Sequence, residues 1–460
     1  MYYFKGYKRF LRGDNKMKKI LTLIIFMFIL TMSANAKSLH RSFDTLIRES
    51  DISKNNIAIS VKNVDTGKVV YSQNEHVLMH PASVQKLLTI IPITEALGDD
   101  YTFKTELYQR GNNGYVLKLG ADPYLETSDL ENLVKKINAD KVKQIYIDNT
   151  LIERKDWGEG WQWDDDLNRY MPRFNSYNLD GNITKITIMP TDPGKQAYII
   201  NPQKSPILFY NNVNTGTQNN IKVSRDNIIS ANTVRLDGTV STPVIYFIPN
   251  NNLRMYFSKK LTDSLEERSI YLKAQYVDSA VQPTDKPVAV VEHSISKAVD
   301  DVLLNSNNMV IETMAKLAGG KYYNKQGTDE DGIRLFNEYC RKHGIDNSRV
   351  RVVDASGVSK NNIADTDFIT EFLIKNKDNK IIEKMATPGQ GTLSTRLIPL
   401  KENLRVKTGT LSDISSIAGY ITAKSGRRYA FCIIINEPVT QESDKKSLEN
   451  YLIREMYYSL

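Results

Sequence analysis

The sequence predicts an α+β protein in which one domain, split in the chain, carries a long insertion. Two observations carry this. Helical and strand-like segments at both ends bracket a stretch, 182–280, rich in Thr, Asn, Ile, Val and Tyr, with turn signals such as Pro193-Gly194 and Asp237-Gly238. The composition is that of an ordinary folded chain: 460 residues, 41% hydrophobic, 9% aromatic and 25% charged, which excludes a disordered chain, a collagen and a disulfide scaffold. The expected limits are 1–36 for an export signal, 37–98 and 285–460 for the split domain, 99–181 for a first inserted region, and 182–284 for an inserted β-rich region with its return segment.

The elements follow in order. Lys18-Lys19 precede an apolar run from Ile20 to Met32, and the small residues Ala34-Asn35-Ala36 follow. Charge, apolar core and small-residue site in that order read as a signal peptide. The run falls short of the roughly 20 residues of a membrane span. The chain is therefore expected to be periplasmic or secreted, with peripheral membrane association left open. Met17 offers a second start, and the choice between Met1 and Met17 stays open. This segment holds seven Lys/Arg against Asp14, so it carries most of the net charge of +8. The remainder is close to neutral, which argues against a nucleic-acid partner.

Residues 38–50 read as an amphipathic helix. Ile57–Val64 and Lys68–Ser72 alternate around Asp65-Thr66-Gly67 and read as a hairpin. Ser83–Leu97 is an apolar helical run. Thr102–Gln109 and Tyr115–Leu119 form a second hairpin. Ser128–Ile137 reads as a helix capped by Ser128, and Lys143–Ile147 as a strand ending at Asp148. Helical periodicity returns at Ser294–Leu317 and Asp329–His343. Arg349–Val353, Leu404–Lys407, Ser416–Thr422 and Tyr429–Ile435 read as strands, and Ser443–Tyr458 as a closing helix.

The two cysteines, Cys340 and Cys432, either pair in an oxidising compartment or stay as packed thiols; the sequence leaves both open. His76 and His80 are four apart, but the stretch between them lacks the glutamate of a zinc protease. No metal and no cofactor is expected.

An exported enzyme that breaks amides without metal needs a nucleophile, a base, a proton route and an oxyanion site. No G-x-S-x-G elbow is present, and no histidine has an evident serine partner. A serine–lysine system is the other solution. Ser83-Val84-Gln85-Lys86 fits it: residues three apart share a helix face, and a serine at a helix start keeps a free N–H. Ser-x-x-Lys also occurs at Ser294–Lys297 and Ser443–Lys446, in polar contexts. Only Ser83 opens a helix whose next residues, Leu87 to Ile91, must be buried. Burial lowers the pKa of Lys86 and suits it to act as a base. Ser306-Asn307-Asn308 interrupts two helical runs, Ile295–Leu304 and Met309–Leu317. Its hydroxyl can relay a proton and its amide can bond a substrate backbone. Lys407-Thr408-Gly409-Thr410 is the rarest element. Gly409 allows close approach of a ligand, and the Thr410 N–H can be a second oxyanion donor.

In this order the three motifs resemble those of penicillin-binding proteins and class A β-lactamases. The chain is identified as a member of the class C low-molecular-mass penicillin-binding proteins, the D-alanyl-D-alanine carboxypeptidase/endopeptidase family, peptidase family S13. Further stretches are similar to that family: Leu119-Gly120-Ala121-Asp122-Pro123-Tyr124-Leu125, Gly160-Trp161-Gln162-Trp163-Asp164-Asp165, Asp354-Ala355-Ser356-Gly357-Val358-Ser359, Gly391-Thr392-Leu393 and Lys407–Tyr420. The long gap from Ser83 to Ser306 matches the family's inserted domains. Asn307, Ala121 and Ala355 depart from the family pattern, with Asn307 standing for Asp and the two alanines for Gly.

The resemblance implies the serine β-lactamase/DD-peptidase fold, an antiparallel sheet flanked by helices. It implies a serine D-Ala-D-Ala carboxypeptidase and/or endopeptidase that acts on peptidoglycan stem peptides and is inhibited by β-lactams. Ser83 is then the nucleophile, Lys86 the general base, Ser306 the proton relay, Asn308 and Lys407 its supports, and Thr408, Gly409 and Thr410 substrate contacts. Asp148, at a strand end in the insertion, is a candidate for a cationic diamino-acid side chain, with a structural carboxylate as the stronger alternative. Asp354 and Ser356 read as turn formers. A β-lactamase, or a non-catalytic cell-wall binding protein of the same fold, remain the alternatives. The oligomeric state is left open.

Overall fold

The structure, a computed structural model, describes residues 39–225, 232–277 and 286–460. The export segment expected at 1–36 lies outside the described residues.

The split domain is built on a five-stranded antiparallel sheet with the order Leu404–Leu411, Ile414–Thr422, Arg428–Asn436, Ile57–Asn63, Val69–Gln73. Chain-distant strands thus meet at its centre, where Ile57–Asn63 pairs with Arg428–Asn436. Both faces are covered. Phe431, Ile433 and Ile435 pack with the helix 39–49 and with the closing helix Glu442–Ser459. Ala430, Cys432 and Ile434 face the helices Lys86–Leu97, Asn308–Tyr323, Asp329–Lys342 and Thr366–Lys375. Period-two alternation therefore divides the strand's side chains between two cores. The polar members of the first strand find partners: Ser60 Oγ lies 2.9 Å from Thr370 Oγ1, and Lys62 pairs with Asp367 at 2.7 Å.

The first inserted unit is a five-stranded mixed sheet with the order Gln275–Tyr276, Gln144–Asp148, Gly114–Lys118, Thr102–Arg110, Ala289–Ser294. It packs on the helices Thr127–Val134 and Leu253–Glu266. The second is two three-stranded sheets enclosing their own core between Ile183 and Pro249.

Several expectations change. The β-rich composition hid Leu253–Glu266, a helix capped by the Asn252 side chain through the Met255 N–H. This helix and the strand Ala289–Ser294 return to the first inserted unit, so sheet pairing carries that unit past the expected boundary at 284. The helix expected at Ser128 starts at Thr127; Glu126 is its cap and Asp129 closes the capping box. Arg349–Val353 shortens to Val350–Arg351. The strand expected to end at Lys407 runs on to Leu411, which places the whole Lys-Thr-Gly-Thr segment in regular edge-strand backbone. Cys340 and Cys432 are buried free thiols, one on a helix and one on the central strand.

Candidate active site

Residues 149–182 lead from the inserted sheet back across the split domain. Trp161 Nε1 donates to Asp354 Oδ2 (2.7 Å), and Asn178 Nδ2 donates to Thr313 Oγ1 (3.3 Å). This segment supplies one wall of a cleft of about 510 Å³. Ser83, Ser306, Asn308, Thr408 and Thr410 line the cleft from the split domain, and Asp165 and Tyr170 from the inserted segment. A larger groove of about 870 Å³ beside Asn379 and Arg405 holds none of the motif residues.

Ser83 does not open the α-helix as expected. It sits in a single 3₁₀ turn, Ala82–Gln85, that feeds the α-helix beginning at Lys86. Ala82 is left-handed, with φ +46°. The turn is held by packing and hydrogen bonds on several sides. Ser416 Oγ donates to the Pro81 carbonyl at 2.7 Å, and a Cβ at Gly357 would stand 2.0 Å from the Ala82 carbonyl. Gly357 (φ +83°) is thus required both by its own backbone and by its neighbour.

Lys86 is fully buried at the first helical position. Its Nζ lies 2.9 Å from Ser83 Oγ, 2.6 Å from Asn308 Oδ1 and 2.7 Å from the Ser356 carbonyl. Burial lowers its pKa to about 7, against the opposing pull of the Asp354 and Glu312 carboxylates. The Ser356 carbonyl is aimed by a tight turn in which Asp354 accepts from Trp161 Nε1, Gly357 N, Ser359 N, Ser356 Oγ and Asn362 Nδ2. Asp354 and Ser356 are turn formers, as the sequence suggested. Glu312, one helical turn after Asn308, accepts from Ser356 N (2.8 Å) and Ala355 N (3.2 Å). Burial and the nearby Asp354 push its pKa up to about 8. Sequence reasoning missed Glu312, although its i+4 spacing from Asn308 was a usable signal.

Ser306 is left-handed (φ +61°) between a π-turn and the helix that starts at Asn308. Lys407 Nζ donates to Ser306 Oγ (2.9 Å) and to the Thr408 carbonyl (2.7 Å). Lys407 is fully buried, and burial followed by repulsion from Lys86 holds its pKa well below the usual lysine value. Asn307 explains its own departure from Asp. Its Oδ1 accepts from Val310 N, and its Nδ2 donates to the Asp301 carboxylate at 2.8 Å. An aspartate at 307 would set two carboxylates against each other. Asn308 Nδ2 donates to the Tyr170 carbonyl (2.9 Å), which ties the inserted segment to the site and leaves a second amide hydrogen for a ligand.

The edge strand sets the direction of the Thr410 N–H. Leu411 and Ile414 close a two-residue hairpin and pair with each other. Hydrogen-bonded and open pairs alternate from there, so Thr410, opposite Ser415, is an open pair whose N–H points outward from the edge. Gly409 brings that edge against Ser83: a Cβ there would stand 2.8 Å from Ser83 N and 2.4 Å from Ser416 Oγ. Thr408 Oγ1 is 2.6 Å from Thr392 Oγ1.

Ser83, Lys86, Ser306, Asn308, Lys407, Thr408, Gly409 and Thr410 are thus brought together. Asp148 is not. It is buried at its strand end, where Oδ1 accepts from the N–H and hydroxyl of Thr150 (3.0 and 2.6 Å), the structural role named as its alternative. The carboxylates that do line the cleft are Asp165, on the inserted segment, and Glu442, at the start of the closing helix.

The profile of the D-Ala-D-Ala carboxypeptidase 3 (S13) family matches residues 39–454. The D-alanyl-D-alanine carboxypeptidase DacB of Haemophilus influenzae is 24% identical over 433 residues, 87% of this chain and 89% of that protein. A D-alanyl-D-alanine carboxypeptidase of Actinomadura (strain R39) is 22% identical over 443 residues, 88% and 82% of the two chains. The crystal structure of penicillin binding protein 4 (dacB) from Haemophilus influenzae shares the fold with a TM-score of 0.81 at 21% identity, covering 90% of this chain and 99% of that one.

Proposed function

The chain belongs to the D-Ala-D-Ala carboxypeptidase 3 (S13) family of serine hydrolases, and from that premise we propose that Ser83 is the nucleophile of a D-Ala-D-Ala carboxypeptidase/endopeptidase acting on peptidoglycan stem peptides. The observation that carries the site assignment is the pair of buried lysines, each on a serine: Lys86 on Ser83 and Lys407 on Ser306.

Neutral Lys86 takes the Ser83 proton as the hydroxyl attacks the carbonyl of a D-Ala-D-Xaa bond. The oxyanion settles on the N–H groups of Ser83 and Thr410. Ser306 passes a proton to the leaving amine, with Lys407 setting its polarity. Asn308 holds Lys86 through Oδ1 and the substrate through its free amide hydrogen. Lys407 and the hydroxyls of Thr408 and Thr410 favour a substrate carboxylate. Water then releases the acyl group. A β-lactam follows the same path and stalls, because its leaving group stays tethered. The site lies outside the cytoplasm in this reading, delivered by the segment 1–36; among the described residues no helix is long and apolar enough to cross a membrane.

Asp165 takes the role first considered for Asp148, recognition of a cationic diamino-acid side chain. Burial and the neighbouring Asp164 raise its pKa, opposed by Lys360. Asp165→Asn is expected to raise KM for stem peptides ending in a free amino group about tenfold, in line with loss of one charge-assisted contact. Acylation by benzylpenicillin, which lacks that group, is expected to stay within about twofold. Equal losses on both substrates would remove Asp165 from this role.

The overall reading is tested by intact-mass spectrometry after incubation with benzylpenicillin, with the adduct mapped by digestion. One persistent penicillin on the peptide containing Ser83 is the expected result. No adduct with intact penicillin favours a binding protein, and no adduct with consumed penicillin a β-lactamase.

A further inference from the structure

Immediately upstream of the nucleophile, His80 is buried between the central strand and the turn that carries Ser83. With its amide turned to match donors with acceptors, the Asn436 side chain pairs with both the N–H and the carbonyl of His80 (3.0 and 3.2 Å). That pins the backbone of His80 to the end of the strand Arg428–Asn436. The ring then reaches forward, and Nδ1 accepts the Ala82 N–H at 3.1 Å. Pro81, between them, has no N–H to offer. Ala82 is the left-handed residue of the turn, a conformation that its Cβ disfavours. Something must hold it, and the His80 imidazole bonds the one donor that this residue has.

We propose that His80 is a positioning residue of this site: its neutral imidazole holds the Ala82 N–H and thereby the turn that aims the Ser83 hydroxyl and N–H. The inference rests on Ser83 being the nucleophile. An acceptor at Nδ1 requires the Nε2–H tautomer. Nε2 is buried and makes no hydrogen bond of ordinary geometry. The groups facing the ring are the Ser359 backbone, Asp354 and Lys360 on the turn after residue 353, and Asp413 on the hairpin beyond Thr410. Burial outweighs the two carboxylates and keeps the imidazole pKa below its usual 6.5. At working pH the ring is therefore neutral and can accept. Protonation puts a second donor against the Ala82 N–H, and the turn loses its clamp.

The test is the rate constant for labelling by a fluorescent penicillin between pH 4.5 and 8, measured on the purified protein, on His80→Asn and on His80→Leu, with folding of each followed by circular dichroism. In the wild type the logarithm of the rate falls with unit slope below about pH 7 as Lys86 protonates. It steepens to a slope of two below the His80 pKa. His80→Asn, whose amide oxygen can accept from Ala82 N at every pH, keeps unit slope and near-normal labelling at pH 8. His80→Leu labels about 10²-fold more slowly at pH 8 with binding of the penicillin unchanged, the scale set by small misplacements of reacting groups. A folded His80→Leu that labels within twofold of wild type overturns the inference, as does a second slope retained in His80→Asn. Imidazole ¹⁵N shifts need no turnover and separate the two readings. A protonated Nδ1 at pH 8 overturns the role of His80, whereas a wild type that never labels overturns the Ser83 reading beneath it.

Discussion

Lys86→Met is expected to slow acylation of Ser83 by benzylpenicillin about 10³-fold, within the range a general base contributes. Methionine nearly matches the stem of lysine and suits the buried position, so the loss is one of chemistry rather than of volume. Nothing then takes the Ser83 proton, and Asn308 Oδ1 and the Ser356 carbonyl each lose their partner at 2.6–2.7 Å. The wild-type pH profile carries the same information. Lys86 must be unprotonated to act, and its pKa is about 7 rather than the 10.5 of a free lysine. Acylation therefore falls about tenfold for each pH unit below 7. The sign follows from the role: a base is lost as pH falls. In Lys86→Met the residual rate should no longer follow that ionisation. Stopped-flow acylation across pH reads both effects, and a variant within tenfold of wild type at pH 8 would end the assignment of Lys86 as base.

The parts of this site that were legible in the sequence are those where chemistry forces residue type and spacing together. Ser83 and Lys86 must share a helical face, and a lysine followed by Leu87-Leu88-Thr89-Ile90-Ile91 can only enter a core. The strand pattern of Tyr429–Ile435 was legible because residues buried on both faces leave a continuous apolar run. What the sequence concealed depends on long-range geometry. Asp148 and Asp165 are both acidic residues of the insertion, and nothing local shows that one turns into a buried loop bond with Thr150 while the other reaches the cleft. Glu312 lies in a helix that reads as core, and only the turn at Asp354–Ser359, more than forty residues on, gives its carboxylate a purpose. Leu253–Glu266 was lost in a β-rich average because its apolar face is completed by strands from residues 107–147. His80, considered from the sequence only as a metal ligand, gained a role from a backbone contact two residues away.

Gly409→Ala is expected to be nearly as damaging as loss of the base, and it isolates a different part of the mechanism. The new Cβ would meet Ser416 Oγ at 2.4 Å, Ser83 N at 2.8 Å and Ala82 Cβ at 3.1 Å. None of these can yield cheaply. Ser83 N is backbone, Ala82 is fixed in its turn, and Ser416 Oγ is held by the Pro81 carbonyl. The edge strand must therefore move away from the helix, and the Thr410 N–H moves with it. Losing one oxyanion donor costs about 10²–10³ in rate. Acylation by benzylpenicillin should fall by that factor, while the acid limb near pH 7 stays, because Lys86 is untouched. Thr410→Ala is the matched control. It keeps the backbone N–H and removes only an exposed side chain, so it should cost less than the alanine at 409, about tenfold for a solvent-exposed contact at the lower end of the roughly 1.5–3 kcal/mol of a hydrogen bond to a charged group. If the alanine at 409 is harmless while the alanine at 410 is severe, the Thr410 hydroxyl and not the strand backbone holds the reacting carbonyl, and the oxyanion site must be redrawn around side chains.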